Sequence, residues 1–385
     1  MSRVRLPRVE DFPTRLRGPE TASRVGIWLG LAFGICFVTG VWSHLQQDTP
    51  SWLSIPPSPA GLYRVTQGLH VISGTAAIPL LLVKLWSVYP RLFLRPPRRI
   101  DKALAVHLLE RASIAVLVAA AIFQVVSGAI NIVQWYPWEF SFRRTHGAVA
   151  WVAIGALVVH IGVKLPVIVD ALRRPTESAP DEPADPAESH LERRTMLRAA
   201  MGASVLAVVL TAGQSVPWLR HVSVLAVRRG TGPQGLPINR TAKEAGVVEE
   251  AMAEWALELS FAGQTRKLTR DELERLPQVT HTLPIACVEG WSASADWTGV
   301  PVRELIALVG ASPHSGVTVS SLQQRGSFAS SELPPQFVED GRTLLALRLN
   351  GEVLSADHGY PARIIAPNRP GVLQTKWVTA LEVIR

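Results

Sequence analysis

Five apolar stretches, at roughly 23–45, 63–88, 104–133, 145–172 and 196–218, dominate the first 220 positions of the chain. Each has the ~20 apolar residues that a helix needs to cross a hydrocarbon core of about 30 Å. The fourth ends at Asp170, Arg173 and Arg174, and the fifth is flanked by Arg193, Arg194 and Arg198, so both have charged stops. From about residue 220 the pattern changes. Short β-branched runs at 222–227, 255–261, 316–320, 344–349 and 363–366 are broken by Gly and Pro, with helical segments predicted at 269–276 and 301–309. Thr269, with Glu272 three residues on, reads as a helix-capping box. The predicted fold class is a membrane all-α bundle of four helices plus a fifth anchoring span, followed by a mixed α+β domain.

Charge sets the expected topology, because Lys and Arg are retained on the cytoplasmic side. The N-terminal arm carries Arg3, Arg5, Arg8, Arg15, Arg17 and Arg24, and the second loop carries Arg95, Arg98, Arg99 and Lys102. The first loop, 46–62, has no Lys or Arg and is rich in Pro and Ser, and the third, 135–142, is aromatic like a headgroup belt. Arg143 and Arg144 are the exception. Residues 175–191 are a Pro/Glu/Asp/Ala stretch without apolar periodicity, read as disordered. The expected layout is a cytoplasmic arm (1–22), a four-span membrane domain (23–174), a cytoplasmic linker (175–192), a fifth span (193–219) and an extracytoplasmic domain (220–385). This describes a multi-pass protein of a cell (inner or plasma) membrane.

Composition agrees with a mixed protein. The 385 residues are 48% hydrophobic and 18% charged, with a mean hydropathy of +0.20. The net charge of +8 and pI near 10.0 raise nucleic acid as a partner, but much of the excess lies on the cytoplasmic loops, so none is expected. Two cysteines, Cys36 and Cys287, exclude a disulfide framework and a Cys-only metal cluster. Arg193-Arg194-Thr195-Met196-Leu197-Arg198 resembles a twin-arginine export signal, the alternative being a positive-inside flank. Export by that route would carry a domain already folded around its cofactor and keep the signal as an anchor.

Ionisable residues inside spans are functional candidates. His70 and Lys84 lie in the second span, His107 opens the third, and the fourth holds His146 and His160. A spacing of 14 residues turns a helix by about 1400° and advances about 21 Å, so His146 and His160 share a face at two depths. That geometry suits two haems stacked across a bilayer, the outer held by His70 and His146, the inner by His160 with His107 or Lys84 as its partner, His107 the better ligand. With these histidines, residues 20–175 resemble the bacterial cytochrome b561 family, including the cytochrome b subunits of formate dehydrogenases and hydrogenases. The formate dehydrogenase type takes a further ligand from the start of the first span, where this chain has Arg24 and no histidine. One haem b is expected and a second is open.

In the C-terminal part, Cys287-Val-Glu-Gly-Trp291, Trp297-Thr-Gly-Val-Pro301, His358-Gly-Tyr-Pro-Ala-Arg363 and Pro370-Gly-Val-Leu-Gln-Thr-Lys376-Trp377 occur in that order. Together they resemble the molybdopterin domain of the sulfite oxidase superfamily over about 235–385, nearest the catalytic subunits of periplasmic methionine sulfoxide reductases. The resemblance implies that Cys287 binds molybdenum and is the catalytic centre. It also implies that Asn239, Asp357, His358, Arg363, Gln374, Thr375 and Lys376 hold the molybdenum–molybdopterin cofactor, with Arg363 a planar donor fork and Lys376 a point charge. Sulfite oxidases have an Asn and an Arg soon after the cysteine; this chain has Glu289, Gly290 and Trp291, and the family's immunoglobulin-like dimerisation domain has no counterpart before Arg385.

The expected function is therefore a membrane-bound molybdenum oxidoreductase that transfers oxygen atoms, with reduction of an S-oxide or N-oxide the preferred direction. Its expected partners are the lipid bilayer, a quinone or other electron carrier, and a small or protein-bound oxidised substrate. The alternatives are a sulfite-type dehydrogenase feeding electrons into the chain, a molybdenum enzyme without haem served by a soluble cytochrome, and a cofactor-free binding module.

Overall fold

A computed structural model describes residues 17, 19–90, 102–173, 186–228, 232–326 and 328–384, with backbone alone at 103 and 186–193. Arg3, Arg5, Arg8, Arg15, Arg95, Arg98, Arg99, Arg174 and linker residues 175–185 lie outside the described residues, as does the Arg193 side chain. The chain divides into two compact units, Met1–Val41 with Leu69–Ala212, and Trp42–Gly68 with Gly213–Arg385.

The first unit is built from five helices, α1 Pro19–Gln47, α2 Leu62–Val88, α3 Lys102–Val133, α4 Phe142–Arg173 and α5 Pro186–Thr211. Each contains a stretch long and apolar enough to cross a membrane. Pro19 occupies the first helical position of α1, where the missing N–H costs nothing, and Glu20 in the same turn complements the helix dipole. Long runs of Leu, Val and Ala fix the helices, since in lipid every backbone group must be paired internally. Their large apolar side chains, such as Leu31, Val38, Leu82, Leu109, Trp151 and Val158, remain exposed on the protein, as hydrocarbon-facing positions would. Small residues carry the packing. Ala200 of α5 meets Val25 of α1 and Leu80 of α2, and Ser204 Oγ donates to Ala76 O at 2.9 Å. Helix α5 starts at Pro186, so 186–191, read as disordered linker, are helical, with proline again at the first position.

The second unit is α+β. Helices α6 Ala242–Ala245 and α7 Glu249–Ala253 precede β1 Ala256–Phe261, β2 Gln264–Thr269, α8 Arg270–Arg275, β3 Val279–Ala286, β4 Ser292–Pro301 and α9 Val302–Ala307. Then follow β5 Val317–Ser321, β6 Ser330–Leu333, α10 Pro335–Glu339, β7 Leu344–Leu349, β8 Glu352–Val353, β9 Arg363–Ile365 and β10 Val378–Val383. One sheet has the order β2-β1-β10-β5-β6, with β1 and β10 parallel; the other runs β3-β4-β7-β8, with β9 also on β7. Leu257, Leu259, Leu305, Val319, Leu345 and Leu381 are wholly buried in the main core, each contributing about 1.5–3 kcal/mol. The capping box of α8 forms as expected, Thr269 N donating to Glu272 Oε2 at 2.8 Å and Glu272 N to Thr269 Oγ1 at 3.3 Å.

Two features depart from the hydropathy pattern. Residues 222–227, expected as a strand, form turns, and Val222, Val224, Leu225 and Val227 are exposed with no strand partner. The first interspan loop belongs to the core of the second unit. Ile55 is buried among its apolar residues, Arg342 donates to Ser58 Oγ at 2.7 Å, and Asn368 Nδ2 donates to Pro56 O at 2.7 Å.

Candidate cofactor site and histidine pair

The hairpin β3–β4 presents Cys287 at its tip. Cys287 N donates to Trp291 O at 2.9 Å and Gly290 N to Cys287 O at 3.0 Å, with Gly290 at φ +91°, so a five-residue turn holds the thiol at 1% exposure. Beside it a cavity of about 300 Å³, counting its open mouth, is lined by Leu236, Asn239, Cys287, Trp291, His358, Arg363 and Lys376, among others. Burial and the nearby Glu289 carboxylate push the Cys287 thiol well above its usual range, so alone it stays protonated. A soft metal would take the proton's place. Among the described residues no three His, Cys, Asp or Glu side chains gather as a metal site, so a metal at Cys287 would need ligands from outside these residues.

Two cations face the cavity, Arg363 buried and Lys376 half-buried, and neither has a carboxylate partner among the described residues. Lys376 Nζ donates to Arg240 O at 2.6 Å and Asp357 O at 2.8 Å, and Arg363 donates to His358 O at 3.0 Å and Gln374 O at 3.3 Å. Arg363 Nε has no partner, and its guanidinium stacks 5.0 Å above the Trp297 ring. Burial, joined by the Arg363 charge, pushes Lys376 down to about 7; burial alone pushes Arg363 down to about 9. A buried cation held only by carbonyls is costly, and an anion in the cavity relieves that cost. His358 is pushed down to about 4 by burial, so its neutral ring donates from Nε2 to Pro233 O at 2.7 Å.

Local backbone geometry brings the two cations together. Gly359 sits at φ +111°, and a Cβ there would lie 3.0 Å from Lys376 Cβ and 3.1 Å from Arg363 Cβ. Trp377 adopts φ +53°, costly for a bulky residue, and is pinned by its ring N–H to Ala356 O at 2.7 Å.

Of the residues expected from sequence, Asn239, Cys287, His358, Arg363 and Lys376 line the cavity. Three do not. Asp357 Oδ1 accepts from Ala242 N at 2.8 Å, at the start of α6. Gln374 Nε2 donates to Arg369 O at 3.0 Å, and Thr375 Oγ1 pairs with Ser331 Oγ at 2.7 Å. These groups are spent inside the fold, where they shape the loops that carry Lys376 and Arg363. Sequence reasoning missed Arg369, which is buried and donates to Leu373 O and Glu332 O. It also missed that Glu289 pairs with Arg228 at 3.3 Å and accepts from Trp291 Nε1 at 3.1 Å. A single acidic residue in a turn carries no signal of such a partner 61 residues earlier in the chain.

In the first unit, His70 of α2 and His146 of α4 face each other, with ring centroids 6.3 Å apart. His70 Nδ1 donates to Cys36 O at 2.9 Å, and His146 Nδ1 lies 2.8 Å from Ser127 Oγ, whose own proton goes to Gln124 O at 3.3 Å. Both rings are oriented through Nδ1, and Nε2 is the nitrogen each has left for a ligand. Gly40 makes room for His70, since a Cβ there would lie 2.9 Å from His70 Cε1. The inner pair is placed differently. His107 Nε2 accepts from Arg111 Nε at 3.0 Å, and Lys164, one turn after His160, pairs with Glu110. Lys84 Nζ donates to Ala22 O at 2.7 Å.

Residues 244–385 match the family model of the oxidoreductase molybdopterin-binding domain. The chain is 32% identical over 151 residues to the putative protein-methionine-sulfoxide reductase subunit YedZ1 of Azospira oryzae, covering 38% of this chain and 55% of that protein. It is 28% identical over 148 residues to the protein-methionine-sulfoxide reductase catalytic subunit MsrP of Gluconobacter oxydans, covering 34% of this chain and 47% of that one. With mitochondrial sulfite oxidase of Drosophila melanogaster the identity is 27% over 155 residues, 34% of this chain and 27% of that enzyme. The chain thus spans from about a quarter to just over half the length of these relatives.

Proposed function

We propose, on the premise that residues 244–385 form a molybdopterin-binding oxidoreductase domain, that this chain is a multi-pass membrane enzyme that reduces an S-oxide or N-oxide outside the membrane with electrons carried through haem b. The observation that carries the reading is one cavity holding the buried Cys287 thiol beside two cations, the buried Arg363 and the half-buried Lys376, neither with a salt-bridge partner among the described residues. These residues fit the cofactor. Cys287 would hold molybdenum as a thiolate, while Lys376, Arg363 and Asn239 would hold the anionic and polar parts of the pterin. When bound, the group supplies two-electron oxygen-atom-transfer chemistry. The chain's own residues bind and orient it: His358 gives its carbonyl to Arg363, Trp297 stacks under the guanidinium, and burial of Cys287 keeps water from the thiolate.

In the first unit His70 and His146 would hold one haem b. Their rings face each other with centroids 6.3 Å apart, each oriented through Nδ1 with Nε2 left to hold the iron. A second haem at His107 and His160 would first require Arg111 to release His107. The 5-span layout, with its N-terminus cytoplasmic, the 220–385 domain outside, a twin-arginine signal and a quinol donor, belongs to the same proposal. Reduction is favoured by two relatives named as methionine sulfoxide reductase components. The sulfite oxidase relative favours the dehydrogenase reading. Against it, the Asn and Arg that sulfite oxidases carry soon after the cysteine have no match in Glu289, Gly290 and Trp291 of this chain.

The direction is tested by reducing the haem with a quinol and then adding methionine sulfoxide or an amine N-oxide. Reoxidation of the visible haem band is the expected result. No reoxidation by either oxide, together with haem reduction on adding sulfite, would replace this reading with the dehydrogenase.

Lys376 gives a pH signature. In cofactor-free protein the folded-state value for Lys376 is about 7, below its ordinary 10.5, so between these values the unfolded chain holds a proton that the folded chain does not. Stability should therefore rise with pH across this window, by an upper limit of about 5 kcal/mol. Thermal unfolding of cofactor-free protein from pH 7 to 9 should show a rising midpoint, and Lys376→Met should remove the rise.

A further inference from the structure

The turn that carries Cys287 is held from outside its own domain sequence. Its two internal hydrogen bonds use the carbonyls of Cys287 and Trp291, not those of Val288 and Gly290. Gln67 Nε2 donates to Val288 O at 3.2 Å, and Ser215 Oγ donates to Gly290 O. Ser292 Oγ returns a bond to Ser215 O at 3.1 Å. Gln67 and Ser215 are both buried, at 5% and 8% exposure, and both lie in segments that the hydropathy pattern assigns to membrane spans.

Gln67 is itself fixed. Its Oε1 accepts from Ser43 Oγ at 3.0 Å, and Ser43 Oγ lies 3.1 Å from the hydroxyl of Tyr63, which is 1% exposed. Gln47 Nε2 adds a bond to Ser43 Oγ at 3.1 Å. Tyr63 N donates to Asn368 Oδ1 at 2.8 Å, and Asn368, at φ +53°, also bonds the backbone of Ala60 and Pro56. Both ends of the Gln67 amide are thus committed, and each lost bond leaves a buried polar group unpaired. Ordinary core packing would need none of this directionality, since an apolar side chain fills the same space without a partner.

We propose that Gln67 and Ser215 are positioning residues for the molybdenum ligand: they fix the backbone of the 287–291 turn so that the Cys287 sulfur is presented in a single geometry. The inference rests on the molybdenum reading of Cys287. It makes the extracytoplasmic loop 46–62 and the start of α2 working parts of the oxidoreductase site. In α2 the same residue that holds this turn stands one helical turn ahead of His70.

The test uses the full chain with Gln67→Leu, which keeps the volume, and Gln67→Glu, which accepts from Ser43 but cannot donate to Val288 O when ionised. Metal content and haem spectrum should match the parent in both. The Mo(V) electron paramagnetic resonance signal should shift or split, and kcat should fall about tenfold at unchanged KM, the size of one lost buried hydrogen bond. In cofactor-free protein carrying Cys36→Ser, maleimide capture of Cys287 should be faster by a similar ~tenfold when Gln67 is Leu. If Gln67→Leu does not fold, Ser215→Ala gives the same readouts.

A parent that contains molybdenum, with variant Mo(V) signals and capture rates identical to it, overturns the positioning role and leaves the functional reading intact. A parent without molybdenum overturns the functional reading, while the capture rate still decides whether Gln67 holds the turn.

Discussion

Cys287→Ser should leave oxide reduction at under about 1% of the parent rate, with the b-type haem spectrum unchanged. Loss even of an outer partner to a metal ligand typically costs 10–100-fold, and here the proposed ligand itself would be replaced. The substituted oxygen is a hard donor in a site with no cluster of other protein ligands among the described residues, so nothing nearby can take over. Folding should survive, because the turn is closed by backbone bonds between Cys287, Gly290 and Trp291 that serine also makes. Activity of the serine variant near the parent's would mean that Cys287 is one more buried small residue, which is the commoner fate of a lone cysteine.

His70→Ala should abolish the b-type absorption and with it quinol-driven turnover. The expected loss is at least about 100-fold, since His70 would be one of the two side chains holding the proposed haem. The His70 ring is held by Cys36 O and faces His146 without other engagement of its Nε2. Alanine opens a space in α2 beside Gly40 but breaks no helix bond. An artificial reductant that reaches the second unit directly should still drive oxide reduction in this variant. A normal haem spectrum in His70→Ala would move the haem elsewhere in the bundle. A parallel loss with the artificial reductant would mean the substitution damages the whole fold.

Much of the architecture is legible because it rests on local rules. Apolar runs of 20 or more residues specify the five helices, and the Thr269–Glu272 pair specifies the start of α8. The β-branched runs at β1, β5, β7 and β9 also form strands where the sequence pattern placed them. The run at 222–227 looks the same by composition and is no strand, because a strand needs a partner and that choice is made by tertiary structure. The site divides in the same way. Residue types with a strong chemical identity, Cys287, Arg363 and Lys376, reach the cavity. Asp357, Gln374 and Thr375 are equally capable donors or acceptors, but they are consumed by Ala242, Arg369 and Ser331, partners up to 115 residues away. Gln67 is the extreme case: it reads as one polar residue at the edge of a span, and its meaning depends on a carbonyl 221 residues later.

Metal analysis of the purified full chain, made in a host that synthesises the pterin cofactor, tests the central claim most directly. About one molybdenum per chain is predicted, lost together with activity in Cys287→Ser. Folded protein from that host with no molybdenum would contradict the account.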